Sequence, residues 1–152
     1  MPLGDLWAAS ARAAFIPLLP DGHVFPEQTP ERVRARLDDP DVSMLVADDG
    51  ELAGFTACGA CRDRDVGREI GEIWSFFVAV SRWRAGIGRA LMAAALADLR
   101  GRGYAEARVW SFVDNARANA FYEARGFEPD GAERREQAWA GALEVRYRRA
   151  LA

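Results

Sequence analysis

Two rhythms of apolar residues alternate along this chain. Short runs rich in aromatic and β-branched residues read as strands: Val42 to Ala47, Glu51 to Ala60, Glu69 to Val80 and Ala105 to Val113. A last pair, Ala132 to Trp139 and Ala142 to Ala150, turns about Ala140-Gly141, as Asp48-Asp49-Gly50 turns the first pair. Between the strands the period lengthens. Ile87, Leu91, Met92, Ala95, Leu96 and Leu99 share one helical face, and a shorter helix after Val113 is closed by Gly126. Two helices come earlier. Asp5 caps Leu6 to Phe15, which Pro17 and Pro20 end, and Thr29 caps a second with Pro30 at its first position, running to about Leu37. The order α-α-β-β-β-α-β-α-β-β predicts a single α/β (α+β) domain over residues 1–152, a mixed central sheet flanked by helices.

The junction of the third strand with its helix carries the first chemical signal. In Val78-Ala79-Val80-Ser81-Arg82-Trp83-Arg84-Ala85-Gly86-Ile87-Gly88-Arg89 the two glycines let backbone amides approach a ligand closely. The helix start adds unpaired N–H groups and a positive dipole end, with Arg84 and Arg89 beside it. That combination cradles phosphates. A Walker loop requires Gly-Lys-Ser/Thr, and the chain contains no lysine. A dinucleotide fingerprint would place its first glycine directly after the strand and a Gly or Ala at Leu91. Glu106 stands where that fingerprint's ribose-binding acid would fall, yet Ser-Arg-Trp-Arg-Ala separates strand from glycines, so a dinucleotide oxidoreductase is disfavoured.

Composition narrows the field further. The formal net charge of −3 argues against a general nucleic-acid surface and suits a cationic amine partner. No run approaches the ~18 apolar residues of a membrane span and no basic leader is visible, which predicts a soluble, cytoplasmic protein with no membrane partner. Cys58 and Cys61 form a lone C-x-x-C in a strand-like run, and His23 is the sole histidine. A zinc site needs further ligands, so these are expected to be plain cysteines and no metal is predicted.

A second block, Val109-Trp110-Ser111-Phe112-Val113-Asp114-Asn115-Ala116-Arg117-Ala118-Asn119-Ala120-Phe121-Tyr122-Glu123-Ala124-Arg125-Gly126-Phe127, follows at a fixed remove. The pair resembles the GNAT superfamily of acyl-CoA-dependent N-acetyltransferases. There the first motif reads roughly V-x-x-x-x-Q/R-x-x-G-x-G/A and the second N-x-x-A-x-x-F-Y-x-x-x-G-F. Asn115, Ala118, Phe121, Tyr122, Gly126 and Phe127 fall in register, and the likeness covers roughly residues 42 to 150.

The resemblance implies a GNAT-like, mostly antiparallel sheet and acetyl-CoA as co-substrate. Its pantetheine arm would lie along the strand at Phe77, Val78 and Val80, with an oxyanion donor from a bulge or splay near Phe77 and Val78. The pyrophosphate would lie over Arg84, Ala85, Gly86, Ile87, Gly88 and Arg89. Asn115 would bond the pantetheine, unless it merely enters the helix beside a capping Asp114. Trp83 stands at the usual Gln/Arg position and Arg84 at a frequent glycine. No counterpart of the family's first strand is legible before Leu6, either because the chain starts late or because this member lacks it. Its loss would expose the edge of Val42 to Ala47, leaving room for a homodimer.

Acetyl transfer to an amine needs a base, because an alkyl ammonium has a pKa of roughly 10. Glu72, among Ile70, Ile73, Trp74 and Phe76, matches the spacing of the base in the histone-modifying branch; otherwise it is a strand carboxylate facing solvent or an arginine. Tyr122 resembles the family's acid for the departing thiolate; otherwise it is a packed ring with a wet hydroxyl. The acceptor, a small-molecule or peptide amine, is unspecified, and His23, Phe25, Arg135 and Trp139 are conceivable contacts. The competing function is a catalytically idle acyl-CoA-binding sensor on the same fold.

Overall fold

The computed structural model describes residues 18–21, 29–48 and 50–151. The expected helix from Leu6 to Phe15, its cap Asp5, and the residues His23 and Phe25 lie outside the described residues. So does any strand before that helix.

Helix α1 (Pro30–Asp38) begins as its sequence predicts: the Thr29 hydroxyl accepts from the Arg32 N–H at 3.2 Å, and Pro30 opens the first turn. Strands β1 (Ser43–Asp48), β2 (Leu52–Ala60) and β3 (Ile70–Val78) form an antiparallel meander. Helix α2 (Ile87–Gly101) then leads to β4 (Glu106–Phe112), which lies parallel to β3. After helix α3 (Ala116–Ala124), β5 (Glu128–Arg135) and β6 (Leu143–Ala150) close the sheet as a hairpin. The order is β1-β2-β3-β4-β6-β5, six strands with one parallel pair. The expected mixed, mostly antiparallel sheet is therefore found.

The apolar stripe of α2 drives the packing. Leu91, Met92, Ala95, Leu96 and Leu99 are all buried and meet Cys58, Ile73, Ala107, Val109 and Tyr147 from the sheet. Full burial of each large side chain contributes about 1.5–3 kcal/mol before the entropy of ordering is counted. Phe127 and Tyr122 extend the same core beneath α3, behind the positive-φ Gly126 that ends the helix.

The last hairpin departs from expectation. Its first strand starts at Glu128 rather than Ala132 and ends at Arg135, while Gln137–Trp139 form a 3₁₀ turn. Pro129 argues against a strand in the middle of a sheet, but β5 is an edge strand and tolerates it. An irregularity between Pro129 and Glu133 also resets the register, hiding the alternation.

Candidate active site

Strands β3 and β4 pair only from Ile70 to Ile73 and from Glu106 to Val109, and then they part. At the parting Trp74 is an extra residue in β3: Ser75 pairs with Ala57 and Ile73 with Cys58, leaving Trp74 unmatched. The bulge thus sits at Trp74 rather than near Phe77 and Val78, while the splay beyond Ile73 does take in those two residues. Gly59 makes room for the bulge, since a Cβ there would come within 2.7 Å of the indole. A bulge resets the alternation of a strand. Ile73 and Phe76 consequently both face the helices, where the Phe76 ring meets Phe121 at 5.5 Å.

The parted strands open a cleft of about 950 Å³ that runs to the glycine loop and α3. It brings together Glu72, Phe77, Val78, Arg84, Gly86, Gly88, Arg89, Asn115 and Tyr122. Val80, Ala85 and Ile87 are not in its lining: Val80 and Ala85 are exposed, and Ile87 opens α2 half-buried.

At the loop end Gly86 precedes α2 with φ +83°, and Arg84 is itself left-handed at φ 64°. That accounts for the frequent glycine at this place in the resembling family: a side chain there carries strain of about 1–2 kcal/mol. Gly88 differs. Its φ is ordinary, and a Cβ would meet the Phe121 ring at 3.4 Å and the Val78 side chain at 3.8 Å, both normal contacts. The protein's own atoms do not demand a glycine at 88, whereas a ligand lying on the bare backbone would.

Trp83 packs on the sheet: its indole N–H donates to the Val78 carbonyl at 3.0 Å, and the Arg117 guanidinium lies 3.3 Å over the ring. Arg117 went unnoticed in the sequence. Burial and the neighbouring Arg84 hold its pKa below the usual value. The available signal was its place in the first turn of α3, where a cation opposes the helix dipole unless an anion answers it.

Asn115, not Asp114, is the N-cap of α3, its Oδ1 accepting from the Ala118 N–H at 3.2 Å. Asn119, also unanticipated, anchors the helix to the end of β4. Its amide donates to the Phe112 and Val113 carbonyls at 3.2 and 3.1 Å and accepts from the Ser111 hydroxyl at 2.6 Å. Asn119→Ala is expected to lower stability by about 2 kcal/mol, measured by denaturant unfolding, because buried Ser111 also loses its partner.

Tyr122 and Glu72 approach the cleft from opposite faces of the sheet. Tyr122 is buried among Phe121, Phe127 and Tyr147 on the helix side, with ring centroids 5.8–6.0 Å apart. Burial pushes its phenol pKa up, so the hydroxyl holds its proton, and it has no hydrogen-bond partner among the described residues. Glu72 follows the opposite alternation to Ile73 and is 6% exposed. Burial raises its carboxyl pKa, and the Arg62 N–H, 3.0 Å from Oε1, pulls it partly back. An acid and a raised carboxylate flank one opening.

The Acetyltransferase (GNAT) family model matches residues 9–127. The chain belongs to this family. Solved structures agree. A protein described as a GNAT-family acetyltransferase from Desulfovibrio desulfuricans is 25% identical, with 80% of this chain and 78% of that one covered and a TM-score of 0.66. The ribosomal-protein-S18-alanine N-acetyltransferase of Escherichia coli is 21% identical over 100% and 91% of the two chains, with a TM-score of 0.68. The PaiA N-acetyltransferase of Thermoplasma acidophilum, solved with coenzyme A, is 14% identical over 97% and 90%, with a TM-score of 0.71. No curated protein matches the chain. No helix among the described residues is long and apolar enough to cross a membrane.

In this GNAT chain the sheet face bearing Glu72 is polar and densely paired. Arg146, 5% exposed, reaches Asp63 at 2.9 Å, Asp65 at 2.8 Å and Asp130 at 2.6 Å. Asp63 also accepts from the Trp110 indole at 2.9 Å. Arg108 joins Asp130 and Glu106, and Arg134 holds the buried Glu144 at 3.0 Å while lying 4.2 Å over Trp110. Trp139 meets Phe112 edge-on at 5.7 Å, placing it in the cleft, whereas Arg135 instead donates to the Gly141 carbonyl at 2.7 Å. Cys58 and Cys61 are free thiols, both pushed up to about 12 chiefly by burial.

Proposed function

We propose that the protein transfers the acetyl group of acetyl-CoA to a primary amine by direct attack on the thioester. One observation carries this reading: Glu72 and Tyr122 flank the same cleft from opposite faces where β3 and β4 part. Glu72, directly or through water, takes one proton from the ammonium; the neutral nitrogen then bonds to the carbonyl carbon and loses its second proton to solvent, which reprotonates Tyr122 at the end of the cycle. The C–S bond then breaks, and the leaving thiolate takes the Tyr122 proton. The products are an N-acetyl amide and free CoA thiol. An acyl-enzyme route would need a nucleophile, and both cysteine thiols stay protonated at neutral pH.

The phosphates of CoA are assigned to the amides of Arg84 to Arg89, with the Arg84, Arg89 and Arg117 guanidinium groups around them. The pantetheine arm is assigned to the free edge of β3 beyond Ile73, with Asn115 at its side. The bound acetyl-CoA supplies the activated acyl group; the chain supplies orientation and proton transfer.

The test is release of CoA thiol across a panel of amines, after a thermal shift establishes that acetyl-CoA binds. Shift without release for any amine would favour the idle sensor. Gly88→Ala tests the loop separately. Alanine is the better helix former by up to ~1 kcal/mol, so the unliganded variant should be as stable as the parent or more so. Its affinity for acetyl-CoA should nevertheless fall, because the methyl stands where the phosphates approach. Unchanged affinity by isothermal titration would remove Gly88 from the site.

A further inference from the structure

Arginines on the Glu72 face of the sheet come paired with carboxylates. Arg108, Arg134, Arg146 and Arg148 each hold at least one. Two arginines of the cleft wall, apart from Arg84, Arg89, Arg117 and Arg125 at its glycine-loop and α3 end, break the pattern. Arg36 reaches it from the last turn of α1, and Arg62 lies 3.9 Å over the Trp74 ring. Among the described residues neither forms an ion pair. Their proximity is unfavourable in itself: burial first, and then the charge of Arg62, hold the Arg36 pKa below the usual value. The helix dipole welcomes Arg36 at the C-terminus of α1 but does not account for a second cation beside it.

The pair also stands apart from the cofactor end. Arg62 hands its backbone N–H to Glu72, whereas the glycine loop begins beyond Val78, six residues of strand or roughly 20 Å away. Phosphates seated on Gly86 and Gly88 are out of its reach. What lies beside it is the carboxylate assigned to the amine. An acceptor with an amine at Glu72 and an anion at the guanidinium groups would satisfy all three charges, and planar arginine forks suit oxyanions.

We infer that Arg36 and Arg62 bind an anionic group of the acceptor, so that the substrate is a small amine bearing a carboxylate or phosphate near its nitrogen. This rests on the acetyl-transfer reading above.

The test measures kcat/KM by thiol release at saturating acetyl-CoA for glycine, β-alanine, γ-aminobutyrate, L-glutamate and phosphoethanolamine. Each amino acid runs against the counterpart in which every carboxylate is an amide, and phosphoethanolamine runs against ethanolamine. The anionic members should exceed their counterparts by about tenfold or more, and the carboxylate and phosphate arms show which oxyanion is read. Arg36→Gln and Arg62→Met should each erase most of that preference by raising the acceptor KM, with the KM for acetyl-CoA unchanged. Methionine keeps cover over Trp74, so a loss at Arg62→Met reports charge and not packing. Equal or better rates for the uncharged counterparts overturn the inference. So does an absence of acetylation across the panel while acetyl-CoA still shifts the melting temperature, an outcome that leaves transfer to other amines standing. Absence of any acetyl-CoA shift would bring down the transfer reading and this inference with it.

Discussion

Tyr122→Phe should lower turnover by ~10²-fold or more while leaving the fold and the affinity for acetyl-CoA nearly unchanged. The ring is the structural part of this residue: it packs edge-on against Phe121 and Phe127 and tilted against Tyr147, and phenylalanine keeps every one of those contacts. The hydroxyl has no hydrogen-bond partner among the described residues, so its removal strands no buried donor or acceptor. Burial keeps the phenol protonated far above neutral pH, which suits a donor and excludes a role as a base. A packing residue and an acid therefore separate cleanly. Equal melting temperatures with a collapsed kcat mark the acid, and unaltered kcat for the true acceptor would reduce Tyr122 to packing.

Most of the architecture was legible because burial imposes period. The α2 stripe from Leu91 to Leu99, the cap at Thr29 and the closing Gly126 are local signals, and the structure uses each as written. The two family motifs were local as well: they contain Gly88, Asn115 and Tyr122, and the spacing back from the glycines points to Glu72; the fold gathers all four into one cleft. What stayed hidden depended on partners far away in the chain. Trp74 bulges because β3 must leave β4 while staying paired with β2, a constraint that no window around Trp74 contains. Arg146 gathers Asp63 and Asp65 from more than eighty positions upstream. Arg36 and Arg62 meet only because α1 packs against β1 and carries Arg36 into the cleft wall. The edge strand β5 was misread for a different reason: its Pro129 and bulge are allowed at an edge, and edge position is a property of topology.

The polar face also bears on how the site keeps its shape. Arg146 is buried with three carboxylates around it, and such a cluster contributes little net stability relative to an apolar core while penalising any arrangement that breaks it. Through Asp63 it fixes the Trp110 indole, and Trp110 in turn lies under Arg134, which restrains Glu144. The Glu72 side of the cleft is thus held by directional bonds and the Tyr122 side by ring packing. A substrate on the polar face meets side chains that are already oriented, so little ordering cost remains for binding.

Glu72→Gln should lower the rate near neutrality by ~10²-fold and change the shape of the pH profile. The amide is nearly isosteric, and its oxygen still accepts from the Arg62 N–H, so the bond at 3.0 Å survives and only the charge is lost. The sign follows from burial. A carboxyl whose folded pKa is raised favours its protonated form in the native state, so ionised Glu72 costs stability above the folded pKa, and that cost vanishes as pH falls through it. Glutamine mimics the protonated form, and Glu72→Gln should therefore be as stable as the parent at neutral pH, or more so. The base is the ionised form. The parent rate should accordingly rise with pH through a pKa above the ordinary glutamate range, and the variant should lack that limb. Its rate should recover only as pH climbs toward the amine's own pKa of roughly 10, where the nucleophile arrives already neutral. A variant that retains the parent's acid limb would assign that titration to another group and leave Glu72 as a strand carboxylate anchoring the Arg62 turn.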